Sequence, residues 1–509
     1  MKAANRVVAN TAILYGRMLL TMGISLYSTR LVLNALGSTD YGIYNLVAGI
    51  IVMLSFLNSA MATSSQRYLS YHQGKKDIQK QKEVFTNSFF LHIIIGFILV
   101  LSLEIAGLFL FDGFLNIPAD RIVSARIIYH YMAVTVFFTV ITVPFNALLI
   151  AHENMLWVAF VNIIETLLKL GIALLLYVVS SDKLVVYGML TASIVIFSFV
   201  LYASFCLKKY PECTFKGVMK PEKSFIKDLT SFAGWNLFGA LCGMGRNQGI
   251  AVILNLFLGA AVNAAYGIAN QVSGQMIFLS ATLLRALNPQ IMKSEGANDR
   301  VRMLRLANMA SKFSFYLIAF IAIPSIFEMK SILGLWLVNV PPLTVIFCNL
   351  ILIGILTNQL TIGLQSAFQA IGDIKFYQII VGSLLLLNLP VSYILLYNGY
   401  PAYSVLISYI ITEFIACVMR VYLFKRKANF SITNYLKNVT LKEIYPVLGS
   451  CLICFLCVQN LEFKWRLIVT YGTSILLFIT LAYFFGLESD EKRFIKQTRS
   501  NLILKFKKS

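Results

Sequence analysis

The sequence predicts an all-α protein that crosses a membrane many times. Hydrophobic residues make up 58% of the chain and charged residues 13%, against roughly 45–50% and 25% in soluble domains. The mean hydropathy is +0.77, and about fourteen apolar runs are long enough for a helix to cross a hydrocarbon core of ~30 Å. An internal repeat completes the predicted polytopic membrane fold: two six-helix lobes, related by a pseudo-twofold axis along the membrane normal, followed by two C-terminal helices.

Short hydrophilic loops separate the fourteen predicted spans. The approximate bounds of these transmembrane helices are 11–36, 41–65, 85–111, 122–150, 156–179, 184–206, 229–255, 265–290, 307–333, 342–370, 377–397, 402–424, 444–459 and 466–486. The predicted domains are an N-terminal lobe 1–206, a basic linker 207–228, a C-terminal lobe 229–424, the last two spans with their preceding loop 425–486, and a basic tail 487–509.

The repeat is visible where the first span of each lobe passes into the second. The first half of the chain reads LNALGSTDYGIYN from Leu33 to Asn45, and the second half reads LNLFLGAAVNAAYGIAN from Leu254 to Asn270. In both copies a Leu-Asn pair ends a span, a glycine opens a short turn, and Tyr-Gly-Ile-x-Asn begins the next helix. The offset of about 225 residues spans six helices, an even number, so both copies cross the membrane in the same direction.

Lysine and arginine residues set the orientation. About 30 of the 43 lie in the termini and in the loops on one side of the predicted spans, whereas the loops on the other side carry Arg121, Lys183 and Lys464. Because basic residues near span ends stay on the cytoplasmic side, this bias places both termini, the linker and the tail in the cytoplasm. Membrane topology thus explains the net charge of +21, and no nucleic-acid partner is expected.

Several kinds of site are not indicated by the sequence. It contains no G-x-x-x-x-G-K-[ST] phosphate loop, so ATP hydrolysis by this chain is not expected. Cys451, Cys454 and Cys457 recur on one helical face, but they have neither a fourth ligand nor a hydrophilic setting, so we interpret them as packing residues. We therefore expect no metal, no other cofactor and no catalytic residues.

Arginines inside the spans are the substrate-binding candidates. A charge at mid-bilayer costs roughly 2.5–3.5 kcal/mol and so normally faces a cavity or a partner. The candidates are Arg246 in the seventh span, Arg17 and Arg30 in the first span, and Arg285 in the eighth; snorkelling to the headgroups is the alternative for each. On a straight helix Arg17 and Arg30 are roughly 220° apart, so either Gly23 permits a bend or one of them faces elsewhere. Planar guanidinium groups suit a phosphate or diphosphate.

Acidic residues inside the spans are the ion-coupling candidates. Glu413 is central in the twelfth span with no cation four residues away, so it is predicted to be a lone buried carboxylate that exchanges protons. Glu165 and Lys169 in the fifth span are four residues apart, a spacing that also suits a purely structural ion pair. Glu104, towards the end of the third span, completes the set.

The remaining cations are predicted to lie at the membrane surface. Those near span ends are expected to snorkel to the headgroups: Arg126, Lys312, Lys330, Arg420 and Arg466. The tail from Lys492 to Ser509 interleaves cations with apolar residues, so we expect it to lie as a helix on anionic lipid.

With these features the chain resembles the Wzx-type oligosaccharide flippases, a branch of the MATE-like multidrug/oligosaccharidyl-lipid/polysaccharide exporter superfamily. The resemblance covers nearly the whole chain and includes the phrases RLVLNALGSTDYGIYNLVAGI from Arg30 to Ile50 and LNPQIMKSEG from Leu287 to Gly296. It implies translocation of undecaprenyl-diphosphate-linked oligosaccharide repeat units, for O-antigen or capsule, across the bacterial inner membrane, by alternating access coupled to an ion gradient. It also implies a cationic lumen, which the four arginines named above would supply. Its partners would be the lipid-linked oligosaccharide, membrane lipids, and polysaccharide polymerase and chain-length proteins.

Two other functions share this composition. A cation-coupled multidrug exporter of the MATE type would depend on Glu104, Glu165 or Glu413, but drug-exporting relatives tend to carry acidic residues in the first span, and this first span has none. A membrane-embedded glycosyltransferase or polymerase would normally need a sizeable catalytic loop, and the predicted loops opposite the termini are at most about ten residues long. The sequence therefore favours a flippase.

Reporter fusions test the predicted orientation. The charge bias places the C-terminus in the cytoplasm, so green fluorescent protein fused there is expected to fluoresce. It places the loops that contain Arg121 and Lys183 outside, so alkaline phosphatase inserted beside either residue is expected to be active. Active phosphatase at the C-terminus with inactive phosphatase at the other two sites would contradict the predicted topology.

Overall fold

The computed structural model is helical in residues 3–52, 55–111, 117–214, 223–337, 340–428, 430–461, 465–489 and 491–493, apart from short connections; these are the residues that the structure describes. The helices are α1 Ala3–Val52, α2 Ser55–Gly74, α3 Ile78–Phe109, α4 Ile122–Ala151, α5 Met155–Leu175, α6 Lys183–Lys209, α7 Lys223–Gly296, α8 Arg300–Phe327, α9 Met329–Trp336, α10 Thr344–Gln359, α11 Ile362–Ile371, α12 Lys375–Tyr397, α13 Ser404–Ala428, α14 Ile432–Tyr435, α15 Leu441–Asn460 and α16 Arg466–Leu481. The predicted lipid-bound tail lies almost wholly beyond Arg493 and so outside the described residues.

Among the described residues, eleven helices are long and apolar enough to cross a membrane, or twelve if α10 and α11, which meet at a 43° bend, form one span. This confirms an all-helical, multi-pass membrane protein but not the count of fourteen, because predicted spans 41–65 and 265–290 are not among them. The first of these contains residues 53–54, which lie outside the described residues. The second is polar because it lines a cavity, described below.

The two copies of the repeat have the same backbone conformation at their central glycine. Within α1, Gly37 has φ 79° and ψ 170°, and within α7, Gly259 has φ 78° and ψ −173°. Glycine adopts these angles readily because it has no Cβ, and in each copy they join two successive helices. The sequence repeat is therefore a structural repeat. The bend considered at Gly23 is not found there, since the non-helical angles within α1 are those of Gly37.

The two copies also end alike. Lys76 and Asn298 have φ values of 59° and 58°. The residue after each, Asp77 or Asp299, caps the following helix, because its side chain accepts a hydrogen bond from the backbone N–H three residues on. The helix boundary in both copies is thus set by one left-handed residue followed by an aspartate.

The chain forms two compact units, each with its own apolar core. The N-terminal unit comprises 6–237 and 292–298, and the C-terminal unit comprises 1–5, 238–291 and 299–509. In the C-terminal unit one core packs α7, α8, α10 and α13 around the buried Phe347. A second core fixes α15 and α16 to α8, and the predicted packing residue Cys454 lies in it.

Within the N-terminal unit, two equivalent glycines pack reciprocally. A Cβ on Gly74 would clash with the carbonyl oxygen of Lys293, and a Cβ on Gly296 would clash with the carbonyl oxygen of Tyr71. Tyr71 and Lys293 are themselves equivalent in the repeat. The contact is therefore reciprocal: each copy of the repeat supplies one glycine and one backbone oxygen. Beside it, Lys293 pairs with Glu153 at 2.5 Å.

Alanine at Gly74 or Gly296 is expected to lower the apparent melting temperature in detergent, because the new Cβ meets a backbone oxygen that no rotamer change can move. Overpacking of this kind costs typically about 1–3 kcal/mol. Gly16→Ala is the matched control: a Cβ at Gly16 meets nothing within 4 Å, so alanine there should be neutral or stabilising. Equal melting temperatures in all three variants would contradict the close packing.

Candidate functional site

A cavity of about 260 Å³ lies within the C-terminal unit. It is lined by both halves of α7, before and after the Gly259 turn, and by α10, α11 and α13. The Tyr266 hydroxyl donates to the backbone oxygen of Asn247 at 3.2 Å, which joins the two halves of α7 at the cavity wall. The charged and polar residues that line the cavity are Arg246, Asn247, Tyr266, Asn270, Ser273, Ser280, Asn358, Gln359, Tyr409 and Glu413.

Glu413 of α13 is the acceptor on which the polar network converges, and its side chain is 1% exposed. Arg246 Nη1 donates to its Oε2 at 2.8 Å. Arg420 Nη2 and Asn358 Nδ2 donate to its Oε1 at 3.2 and 2.6 Å. The prediction of a lone carboxylate is therefore wrong, because Glu413 is held by two cations and an amide from three different helices.

Arg246 enters the cavity from the first half of α7. Its guanidinium carbon lies 4.3 Å from the centroid of the Tyr409 ring, one turn before Glu413 on α13. Its Nε has no hydrogen-bond partner among the described residues. The side chain is thus oriented by an ion pair and a cation–π contact and retains a buried donor that the protein does not use.

Arg420 lies two turns after Glu413 on the same face of α13. It is 2% exposed, which corrects the expectation that it snorkels to the headgroups. Besides Glu413, it binds Thr361 Oγ1 at 3.2 Å. Thr361 lies at the break between α10 and α11, so Arg420 connects the glutamate to that bend.

The charges of this network do not cancel. Among the described residues it contains two guanidinium groups, on Arg246 and Arg420, and one carboxylate, on Glu413. Their burial makes an uncompensated charge costly, because the low-dielectric interior cannot replace hydration. The network therefore leaves one positive charge that an anion would stabilise.

Neutral polar groups extend the network along the cavity wall. Ser280 Oγ donates to Gln359 Oε1 at 2.6 Å, Gln359 Nε2 lies 3.5 Å from Asn358 Oδ1, and Asn358 donates to Glu413. This chain runs from the second half of α7 through α10 to α13. It orients Asn358 so that its amide nitrogen points to the carboxylate.

The structure brings Arg246 together with Glu413 but leaves the other arginine candidates outside this cavity. Arg285 is exposed on α7 and does not line it. Arg17 is half-buried and Arg30 is exposed on α1, in the N-terminal unit.

The other acidic candidates lie in the N-terminal unit and make weaker contacts. Glu104 pairs with His130 Nδ1 at 2.9 Å in a largely accessible position. Glu165 is half-buried and Lys169 is exposed. No ion pair joins Glu165 and Lys169 in the part of the chain that the structure describes, so the expected structural pair is not found.

Sequence analysis missed Arg420, Asn358 and Tyr409 as site residues. The spacing of Glu413 and Arg420, seven residues or about two helical turns, was a usable signal because it places both on one helix face. Asn358 and Tyr409 carry no such signal, since only the fold brings α10 beside α13.

Comparison with known proteins identifies a matching family model and a distant relative. The family model described as polysaccharide biosynthesis protein matches residues 7–295. The uncharacterised membrane protein EpsK of Bacillus subtilis (strain 168) is 21% identical over 309 residues, which are 59% of this chain and 59% of EpsK. The alignment thus spans about three fifths of that relative.

Solved structures show the fold. A MATE protein in its straight conformation superposes with a TM-score of 0.73 at 13% identity, over 84% of this chain and 97% of that one. An outward-facing multidrug resistance MATE family transporter of the MOP superfamily gives 0.71 at 13% identity over 84% and 98%. A MOP superfamily transporter from Pyrococcus furiosus Vc1, described as having a binding pocket of reversed polarity, gives 0.71 at 12% identity over 84% and 98%. The fold is therefore MATE-like.

Neutralising Glu413 is expected to destabilise the protein more than removing either arginine. Glu413→Gln leaves two buried guanidinium groups uncompensated, a change that costs about 3–5 kcal/mol, whereas Arg246→Met leaves a balanced Arg420–Glu413 pair. In detergent, wild type and Arg246→Met should have the highest melting temperatures and Glu413→Gln the lowest. The double variant Arg246→Met/Glu413→Gln should have an intermediate melting temperature. Glu165→Gln serves as the control for loss of a carboxylate. An Arg246→Met protein that melts below Glu413→Gln would contradict the charge count.

Proposed function

Because this chain belongs to the polysaccharide biosynthesis protein family, we propose that it translocates undecaprenyl-diphosphate-linked oligosaccharide repeat units across the bacterial inner membrane for surface polysaccharide synthesis. The family consists of transporters, not enzymes, and this chain is a multi-pass membrane protein with a MATE-like fold. We further propose fourteen spans with both termini in the cytoplasm.

The observation that carries this proposal is the surplus positive charge buried in the C-terminal unit. Arg246 and Arg420 share one carboxylate, and Arg246 lines the cavity with an Nε that has no hydrogen-bond partner among the described residues. Guanidinium groups bind phosphate oxygens through paired, charge-assisted hydrogen bonds. A diphosphate supplies the negative charge that this network lacks, whereas a neutral or cationic drug does not.

The size of the cavity supports a headgroup site. A volume of about 260 Å³ is below the roughly 300–1,000 Å³ of pockets that enclose a drug-sized ligand. Such a cavity accommodates the diphosphate and the sugar next to it, and the rest of the repeat unit and the polyprenyl chain lie outside it. Asn247, Asn270 and Ser273 supply neutral polar groups for a sugar.

Glu413 is the proposed coupling residue because it competes with the substrate for the same arginine. In the ionised state its carboxylate holds Arg246 and Arg420. A proton on Glu413 removes that negative charge and leaves both guanidinium groups available to a diphosphate. Loss of the proton restores the internal ion pairs and favours release of the substrate. This exchange would link transport to a proton gradient.

The break between α10 and α11 is the proposed moving part of the site. The two helices meet at 43°, next to Asn358 and Gln359 on the cavity wall and at Thr361, which binds Arg420. A helix interruption inside a membrane protein frees backbone groups and permits rearrangement where a cavity or a neighbouring helix satisfies them. Loss of the Glu413–Arg420 pair would therefore act directly on this bend during alternating access.

We propose that the candidate residues outside the cavity act at other stages of transport. Arg17, Arg30 and Arg285 are proposed further contacts for the anionic headgroup along its path. Glu104, and Glu165 with Lys169, are proposed alternative sites of ion coupling in the N-terminal unit. Polysaccharide polymerase and chain-length proteins are the proposed partners in the membrane.

A cation-coupled drug exporter is the second candidate, and the superposition on multidrug MATE structures over 84% of the chain favours it. The first span, Asn10–Gly37, has no acidic residue. Dye efflux that persists when Glu104, Glu165 and Glu413 are each replaced by glutamine would exclude this mechanism.

Gene deletion in the native host tests the proposed function. We expect loss of surface polysaccharide and accumulation of the lipid-linked repeat unit in the cytoplasmic leaflet, both restored by the wild-type gene. Arg246→Ala should not restore them although the protein is folded and in the membrane, because it removes the surplus guanidinium. Arg246→Lys should restore them in part, since lysine keeps the charge but not the paired geometry.

Arg126→Ala is the matched control, because Arg126 is an exposed arginine that does not line the cavity. This variant should restore surface polysaccharide fully. Full restoration by Arg246→Ala would overturn the role of Arg246. Unchanged lipid-linked intermediates in the deletion strain, together with altered drug sensitivity, would overturn the flippase function itself.

A further inference from the structure

Another buried carboxyl group, that of Glu443, lies 30 residues after Glu413, in the first turn of α15. Glu443 is 1% exposed. Neither Oε1 nor Oε2 has a hydrogen-bond partner among the described residues. This distinguishes it from Glu413, whose oxygens accept three hydrogen bonds.

In the described part of the chain, the ionisable side chains that face Glu443 are engaged with other partners. Lys312 and Tyr316 of α8 and Tyr435 of α14 lie within electrostatic range of its carboxyl group. The Tyr316 hydroxyl donates to the backbone oxygen of Lys442 at 3.0 Å. The Tyr435 hydroxyl donates to the backbone oxygen of Leu360 at 2.5 Å.

Lys312 is bound to a different carboxylate. Its Nζ donates to Glu491 Oε2 at 2.6 Å and to the Gly486 backbone oxygen at 3.4 Å. Lys312 is 2% exposed, which corrects the expectation that it snorkels to the membrane surface. One buried ammonium group thus lies among two carboxyl groups, Glu443 and Glu491, and pairs with the second.

An ionised Glu443 would be unfavourable in this arrangement. Burying a carboxylate without a donor or a paired cation costs several kcal/mol, whereas the protonated carboxyl group is neutral and pays only the smaller cost of an unpaired polar group. The geometry therefore fits a proton on Glu443, with Lys312 left free to pair with Glu491.

We propose that Glu443 is a proton-binding site and that its proton decides which carboxylate Lys312 holds. With the proton bound, Lys312 pairs with Glu491 and fixes the segment that follows α16 to α8. When the proton leaves, the charged Glu443 draws the ammonium group away from Glu491. The segment then loses this buried ion pair and retains the Lys442–Glu488 pair at 3.2 Å, which is partly exposed and so worth little. This inference does not depend on the proposed function.

Infrared spectroscopy of the full-length protein in lipid nanodiscs tests the proton directly. At neutral pH, the difference spectrum between wild type and Glu443→Gln is expected to contain the C=O stretch of one protonated carboxyl group. Glu488→Gln, which removes a partly exposed carboxylate of the same region, should instead remove a carboxylate band. A difference spectrum for Glu443→Gln that contains a carboxylate band would overturn the proposal.

Hydrogen exchange of residues 487–493 tests the consequence. At acidic pH, the segment should exchange at the same rate in wild type and in Glu443→Gln. As the pH rises, the rate in wild type relative to Glu443→Gln should increase by up to tenfold per pH unit, because one proton is released. Lys312→Met should exchange fast at every pH. Equal exchange of wild type and Glu443→Gln across the pH range would overturn the role of Lys312. If Glu443→Gln does not accumulate, the wild type decides: its protonated-carboxyl band and its protection relative to Lys312→Met must disappear together as the pH rises.

Discussion

The carboxylate of Glu413 holds two guanidinium groups in a part of the protein where hydration cannot replace it, and the C-terminal unit is arranged around that interaction. Arg246 comes from α7, Arg420 from α13, and Asn358 from the end of α10. The same contacts that stabilise the unit therefore define its cavity and the bend between α10 and α11. Because one carboxylate cannot neutralise two cations, the interaction that fixes the structure also leaves it able to bind an anion.

The internal repeat explains how the chain places polar residues in this position. At Gly259 the chain turns back, so that the second half of α7 runs beside the first and brings Tyr266, Asn270 and Ser280 to the cavity wall. Gly37 makes the same turn in the N-terminal unit. In the C-terminal copy the helix after the turn is too polar to count as a span, because its polar side chains line the cavity. Gly37 and Gly259 must be glycine because of their positive φ angles. Gly74 and Gly296 must be glycine because a Cβ at either position would clash with a backbone oxygen.

Much of the fold could be predicted from the sequence, because apolar runs report directly on membrane spans and the repeated turn motif reports on a repeated backbone turn. The depth of Arg246 and Glu413 was also readable, since position in a span follows from counting residues. Their pairing was not, because they are 167 residues apart and no local pattern links α7 to α13. The same limit explains the errors at Arg420 and Lys312. Both lie near span ends, where snorkelling is the usual outcome, and only the packing of neighbouring helices shows that a buried carboxylate holds each of them.

The proposed function requires that the surplus charge at Arg246 and Arg420 recognises a diphosphate headgroup. Native mass spectrometry of the purified protein, with undecaprenyl diphosphate and undecaprenol compared at equal concentration, tests it most directly. We expect wild type to retain the diphosphate lipid and not the alcohol, and Arg246→Ala to weaken this binding about ten- to hundredfold, the value of a charge-assisted hydrogen bond of about 1.5–3 kcal/mol. Equal retention of both lipids, or diphosphate binding unchanged in Arg246→Ala, would contradict it.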